Sequence, residues 1–414
     1  MKVGHNSFSR FFVLMFSHKS TAVCGTAAEE GGTPYVFSCA LSCDGGTLAA
    51  SLSTCMVKCY DPATLRQTGA AAALSPAGAP PGSHRVVSID WSVSTPSLLY
   101  AACGSSDDWD EVNEQPRRRA AAVHALDTRS GQVCASWDLH GAAAQLGDLG
   151  AMACSPSGTL LAVGLGPAVC FVDARRASSS SPATPAAVLG SFAESHSQSV
   201  TSLAWHPVLH SHALSGGEDG LVNVYDVSVS GGDEEALVGT LNVEDSVSHF
   251  GVFGASGALV HVATRTGVLS LWNLGGACKV AEFTGLRDGL PGFDFLLSTH
   301  YNSRTDKLLA LAGSHSGGLH VLDVSPTTLA LRGSLPASAR VGGGHSAAAR
   351  CAAADRMQRA LYTGGEDGRL CQWVVGGGEE APLGSAKVAL GSAPPAAGTD
   401  EASHFGKRKA APRK

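Results

Sequence analysis

Three side chains of the kind found in a hydrolase triad fall within one short stretch: His196, Ser215 and Asp219. An imidazole, a hydroxyl and a carboxylate can together activate a serine, provided that the serine is reachable and an oxyanion hole lies beside it. The same trio returns, with threonine for serine, as His345, Thr363 and Asp367. Ser215 sits inside a β-type run, where its hydroxyl is expected to face the interior of a sheet. A set that recurs in matching contexts, with a hydroxyl turned inward, points to hydrogen bonding within a repeated fold. No catalytic residue, and no enzyme, is expected.

Other groupings that could bind metals are weighed in the same way. Cys39 and Cys43, and Cys55 and Cys59, are each four apart, which on strands puts each pair on one face and makes a four-thiolate zinc site conceivable. The spacing is not a common zinc pattern, and packing of small thiols is the preferred reading. "HPVLHSH" (206–212) offers His206, His210 and His212 without a carboxylate or thiol to complete a metal set, so a solvated loop is expected. The many glycines stand in "GGEDG" turns, where they permit positive φ, and no Lys-Ser/Thr ending makes any of them a phosphate loop. Neither a cofactor nor a small-molecule substrate is expected.

The elements that carry these residues form a series. Seven segments cross a tight turn between β-type runs, and their third runs end at Tyr60, Leu126, Val172, Tyr225, Trp272, Leu322 and Trp373, a step of 46 to 53 residues with one of 66. The long step is caused by "SSDDWDEVNEQPRRR" (105–119), which interrupts a hairpin. A near-constant period of this size marks a repeat architecture, and hairpin signals within each unit indicate sheets instead of helix pairs. A fourth strand follows each third run, as in "ALVGTLNV" (236–243) or "CKVAEF" (278–283). One such sheet cannot cover both of its faces, so the units must stack around an axis and close. The last unit lacks a fourth strand, while "STAVCGT" (20–26) is an orphan run before the first. The N-terminal run is expected to complete unit seven.

The phrases "ALSGGEDGLVNVYD" (213–226) and "ALYTGGEDGRLCQW" (360–373), with the acidic turn and the aromatic ending of the third strand, resemble WD40 repeats. The resemblance covers about residues 20–375 and is strongest in units four and seven. It implies an all-β, seven-bladed WD40 β-propeller over 20–375, closed by an N-terminal strand, with a flexible N-terminus at 1–19 and a disordered, basic-ended tail at 376–414. It also implies two structural hydrogen-bond sets, His196, Ser215, Asp219 and Tyr225 in one blade and His345, Thr363, Asp367 and Trp373 in another. As a family the propellers bind other proteins. For this one, a scaffold linked to ribosome assembly is the first expectation. A substrate receptor that meets a cullin-ligase adaptor through Asp-x-Arg motifs is the second; "LDTR" and "VDAR" put Arg129 and Arg175 in that role, without the aromatic residue that usually precedes.

Candidate partner contacts follow. In 105–119, acidic residues precede Trp109 and surround it, and Arg117, Arg118 and Arg119 close the segment. The opposite charges either pair across a solvated hairpin or frame Trp109 as a partner anchor. Glu218 and Glu366, in the acidic turns, are expected on the same face and suit basic partner segments. Lys407, Arg408 and Lys409 form a candidate nuclear-import signal, so the expected location is the nucleus, the cytoplasm or both. A net charge of -6 with 15% charged residues leaves no broad basic field, so nucleic acid is unexpected except at the tail. No apolar run approaches the roughly 20 residues of a spanning helix, and a membrane is not expected. The acid-free first 28 residues, with "FFVLMF" at 11–16, read as a frayed end more than as a targeting segment, since six apolar residues are short for a signal core. Twelve scattered cysteines without a CxxC pair fit a reducing compartment.

Overall fold

The second run of each unit is apolar on both sides; Leu259–Thr264, for example, is buried at nearly every position. A strand of this kind needs cover on two faces, which only neighbouring sheets can supply. In the computed structural model, which describes residues 16–24, 34–74, 84–105, 109–110, 115–116, 121–175, 188–338 and 343–375, the runs pair into seven four-stranded antiparallel sheets. The first begins at Val36–Leu41, the second at His84–Trp91, the third at Leu149–Cys154 and the fourth at Val200–Trp205. Blades five, six and seven begin at Val247–Phe253, Phe295–Asn302 and Ala349–Ala354. Every first strand shifts register against the second near its start, as between Val36 and Ser38 or Ala349 and Cys351. Such bulges bend a strand and raise its twist. Their recurrence in all seven shows that the sequence-divergent units are one structural element.

The cores prove that the ring is closed. Seven clusters of buried side chains occur, and each lies between two adjacent blades: Phe250 and Leu214 share one between blades four and five, while Tyr362 and Leu48 share another between blades seven and one. An open row of seven sheets would have six interfaces. The seventh is made possible by Phe16–Val23, which pairs antiparallel with Arg369–Val375 as the outer strand of blade seven. Lys58 Nζ of blade one donates to the Cys24 carbonyl at 2.6 Å just beyond this strand, and the Tyr362 hydroxyl of blade seven donates to the Pro62 carbonyl at 3.1 Å.

The closing strand corrects one expected boundary. It starts at Phe16, inside the segment 1–19 read as flexible, because Phe16 is buried in the core between blades six and seven. The remaining residues 1–15, the tail 376–414 and Arg117–Arg119 lie outside the described residues. Among the described residues three short helices interrupt the sheets, the longest being His140–Leu146 between blades two and three, with Ala143 buried. Its alanine-rich "HGAAAQL" favours helix. Antiparallel order fixes two faces. Second-to-third turns and crossovers between blades lie at the upper face; first-to-second and third-to-fourth turns lie at the lower.

Candidate functional site

On the upper face of blade four, the crossover before Val200–Trp205 delivers His196 against the turn after His212–Gly217. His196 Nδ1 lies 3.1 Å from both carboxylate oxygens of Asp219, and Nε2 lies 2.7 Å from Ser215 Oγ. Ser215 in turn donates to the Tyr225 hydroxyl at 3.3 Å. Blade seven repeats the arrangement: His345 Nδ1 is 3.1 Å from Asp367 Oδ1, Nε2 is 2.8 Å from Thr363 Oγ1, and Trp373 Nε1 donates to that oxygen at 2.8 Å. The predicted residues of each set are thus brought together. Ser215 and Thr363 are both completely buried, so neither hydroxyl can meet a substrate. Chemically the sets are struts that fasten a crossover to the blade it enters.

The electrostatics of the blade-seven set fit that role. Burial by itself would lower the pKa of His345, but the hydrogen bond and charge of Asp367, together with Cys371, outweigh it and hold the imidazole up at about 10. Burial would raise Asp367; the hydrogen bond and charge of His345, with the N–H groups of Ser346 and Arg369, instead pull it below the ordinary carboxylate range. The pair is therefore an imidazolium and a carboxylate near neutrality. Sequence reasoning missed Asn223, which donates to the Ser195 carbonyl at 2.7 Å and accepts from Thr240 Oγ1 at 2.8 Å. An amide in a run of apolar strand residues was the available signal. Blade five manages without such a set: Trp272 Nε1 donates to Ser270 Oγ at 2.8 Å on its own strand.

The remaining candidates scatter over both faces. Glu218 and Glu366 do lie on the upper turns, but Glu218 is paired with Arg265 of blade five and Glu366 accepts from Arg350 Nε at 2.7 Å, so part of their charge is answered within the ring. In the blade-two insertion, Trp109–Asp110 and Gln115–Pro116 form a separate two-stranded ladder, with Trp109 opposite Pro116. On the lower face, Arg129 is held by Asp127 (Nε to Oδ1, 3.1 Å) and Arg175 by Asp173 (Nε to Oδ1, 2.9 Å), with the arginine side chains 77% and 69% exposed. Lys407, Arg408 and Lys409 fall outside the described residues.

The groupings weighed for metal go separate ways. Cys39 packs towards the Tyr362 carbonyl of blade seven, Cys43 towards Val93 of blade two, and Cys55 and Cys59 enter the core between blades one and two, so the four thiols do not converge. The 206–212 turn, expected to be solvated, buries His206: its Nδ1 accepts the N–H groups of Val208 (3.1 Å) and Leu209 (2.8 Å), and Nε2 donates to the Gly257 carbonyl of blade five at 3.0 Å. That ring caps its own turn and ties two blades.

Comparison with known proteins agrees with this architecture. Residues 187–226 match the family described as "WD domain, G-beta repeat". Over 186 residues, 44% of the chain, it is 26% identical to the WD repeat-containing protein 89 homolog of Dictyostelium discoideum, and the match spans half of that relative's length. It is also 26% identical over 363 residues to the WD repeat-containing protein GTS1 of Arabidopsis thaliana, covering 83% of the chain and 81% of the relative. Among solved structures, a chain of the "Crystal Structure of Mitotic Checkpoint Complex" superposes with a TM-score of 0.62 at 17% identity, covering 91% of this chain and 96% of that one, a likeness of fold. The residues from Glu194 to Trp373, including "ESHSQSVTSLAWHP" and "HYNSRTDKLLALAGSHSGGLHVLDV", are those that resemble WD repeat-containing protein 89. Seven bulged blades, two His–hydroxyl–Asp struts and the one matched repeat make this chain similar to WD40-repeat proteins.

Proposed function

We propose that the chain is a non-catalytic scaffold: a rigid ring that binds other proteins through its turns and brings them together. The observation that carries this reading is the burial of Ser215 and Thr363 within their own blades. Among the described residues the two constellations that resemble a reaction centre are consumed as structure, while charged turns on both faces stay open to solvent. Ribosome-assembly factors are the partner class proposed, in the nucleus and/or cytoplasm, with Lys407, Arg408 and Lys409 as the import signal. Proximity labelling in cells, with and without residues 405–414, tests both points. Pre-ribosomal proteins labelled by the full chain, and lost with nuclear signal on truncation, are expected; a labelled set without them refutes the partner class.

A second reading has its own observation. Arg129 and Arg175, each oriented by the aspartate two residues before it and largely exposed, sit on the same face of adjacent blades and could receive a cullin-ligase adaptor. Adaptor recovered with the wild-type chain and lost with Arg129→Ala/Arg175→Ala would support this role. Adaptor absent from the wild-type precipitate would eliminate it.

A further inference from the structure

The lower turn of blade seven is anchored from beneath and displays its outer side chains. Asp355 Oδ1 accepts the N–H groups of Arg359 (2.6 Å) and Ala360 (2.9 Å). Gln358, 6% exposed and held at a left-handed φ of 51°, donates from Nε2 to the His300 carbonyl of blade six at 2.8 Å. A non-glycine residue persists in that conformation where its surroundings over-determine it, and such positions concentrate at functional sites. With Gln358 turned inward, Arg356, Met357 and Arg359 stand exposed. Among the described residues neither of these guanidinium groups makes a side-chain hydrogen bond or an ion pair within 4 Å, although the charge of Arg356 helps to hold the Asp44 carboxyl below its ordinary range.

These side chains border a cleft of about 660 Å³ at the lower seam between blades seven and one, walled in part by Leu41, Tyr362 and Val374. That is the size of a pocket for a few side chains. The other charged groups along it are already engaged. Asp44 accepts from Ser42 Oγ (2.6 Å) and the Gly46 N–H (2.9 Å), Asp61 accepts the N–H groups of Ala63 and Thr64 at 2.8 Å each, and Lys19 donates to the Ala63 carbonyl at 3.0 Å. What the cleft offers is an apolar floor, a thioether that takes one weak contact from Arg304 Nη1 at 3.6 Å, and two planar donor forks at one rim.

We propose that this seam cleft is a docking site for a short acidic and apolar segment of a partner protein. An apolar side chain enters the cleft beside Met357 and Tyr362, and flanking carboxylates bind Arg356 and Arg359. Guanidinium matches carboxylate in two parallel hydrogen bonds, and methionine moulds to varied apolar shapes. Asp44 and Asp61 on the opposite wall repel a carboxylate, which orients the segment with its acidic residues towards blade seven. The site is separate from Arg129 and Arg175 and from the upper acidic turns. It rests on the protein-binding reading above and adds a location and a partner chemistry.

The test is selection of random dodecapeptides displayed on phage against the full chain, with counter-selection on Arg356→Glu/Arg359→Glu. Enriched peptides carrying Glu or Asp around Leu or Phe are expected. A fluorescein-labelled copy of one should lose affinity by about tenfold or more on the double variant, as removal of charge-assisted pairs predicts, and should weaken as salt rises from about 0.05 to about 0.3 M. Binding to Arg129→Ala/Arg175→Ala should be unchanged, and matching thermal melts show that all variants are folded. No enrichment, peptides without acidic residues, or equal binding to wild type and double variant overturns the proposal. Partners co-purified equally by wild type and double variant remove the seam site and leave the scaffold standing; a chain that retains no partner removes the scaffold reading itself.

Discussion

Asp367 is the residue whose loss the structure prices most clearly. Its carboxylate accepts from His345 Nδ1 at 3.1 Å, from the Ser346 N–H at 2.8 Å and from the Arg369 N–H at 3.1 Å, with its side chain 6% exposed beside a fully enclosed His345. Asp367→Ala strands a buried imidazole, and breaking one side of such a pair costs about 3–5 kcal/mol. For a ring with roughly 300 ordered residues, an unfolding entropy near 0.6 kcal/mol per degree makes that a fall in Tm of about 5–8 °C. The pH dependence is the sharper readout. His345 is raised to about 10 from an ordinary 6.5, so its contribution is complete below about pH 6.5 and is lost as pH rises towards 10. Asp367 is lowered, so its contribution is present above its ordinary range near 4 and lost in acid. The stability difference between wild type and Asp367→Asn should therefore be greatest between about pH 4 and 6.5 and shrink through pH 10. Denaturant unfolding followed by circular dichroism across that range measures it. A difference below about 1 kcal/mol that does not vary with pH would refute the strut as described.

Three further outcomes are expected. Burial lowers His249 to about 4, His261 to about 3 and His300 to about 4, and His249 Nε2 is sealed without a partner; folded pKa values below 6.5 mean that stability erodes as pH falls from 6.5 towards 4. The erosion reaches at most about 2 kcal/mol per site at pH 5, and unfolding curves at pH 7.5 and 5 should converge in part for His249→Gln. A Cβ on Gly150 would lie 2.2 Å from the Val200 carbonyl oxygen of blade four, whereas one on Gly239 meets nothing within 4 Å, so Gly150→Ala should cost about 1–3 kcal/mol or more and Gly239→Ala under 1 in the same unfolding assay. Removing residues 1–23 takes away Phe16 and the strand that covers Arg369–Val375, and the bared edge should give aggregates on size-exclusion chromatography; a monomer with a wild-type melt would show that the closure is dispensable.

The sequence by itself settled the repeat, the strand type and the count of blades. These depend on local chemistry: apolar runs such as Leu308–Gly313 followed by glycine-bearing turns must become hairpins, and "CKVAEF" has one reasonable conformation, which it adopts as Cys278–Phe283. The two struts were legible through the resemblance to WD40 repeats, which implied the sets of His196, Ser215 and Asp219 and of His345, Thr363 and Asp367. What it could not specify was anything that depends on a neighbour far along the chain. Phe16 is an apolar residue in an ambiguous end until blade six supplies its core; His206 reads as a loop imidazole until Gly257 accepts its proton; Glu218 reads as free until Arg265 reaches it. Tertiary structure decided these cases, since burial and ion pairing are set by distance in space and a blade's periodicity carries no record of the blade beside it.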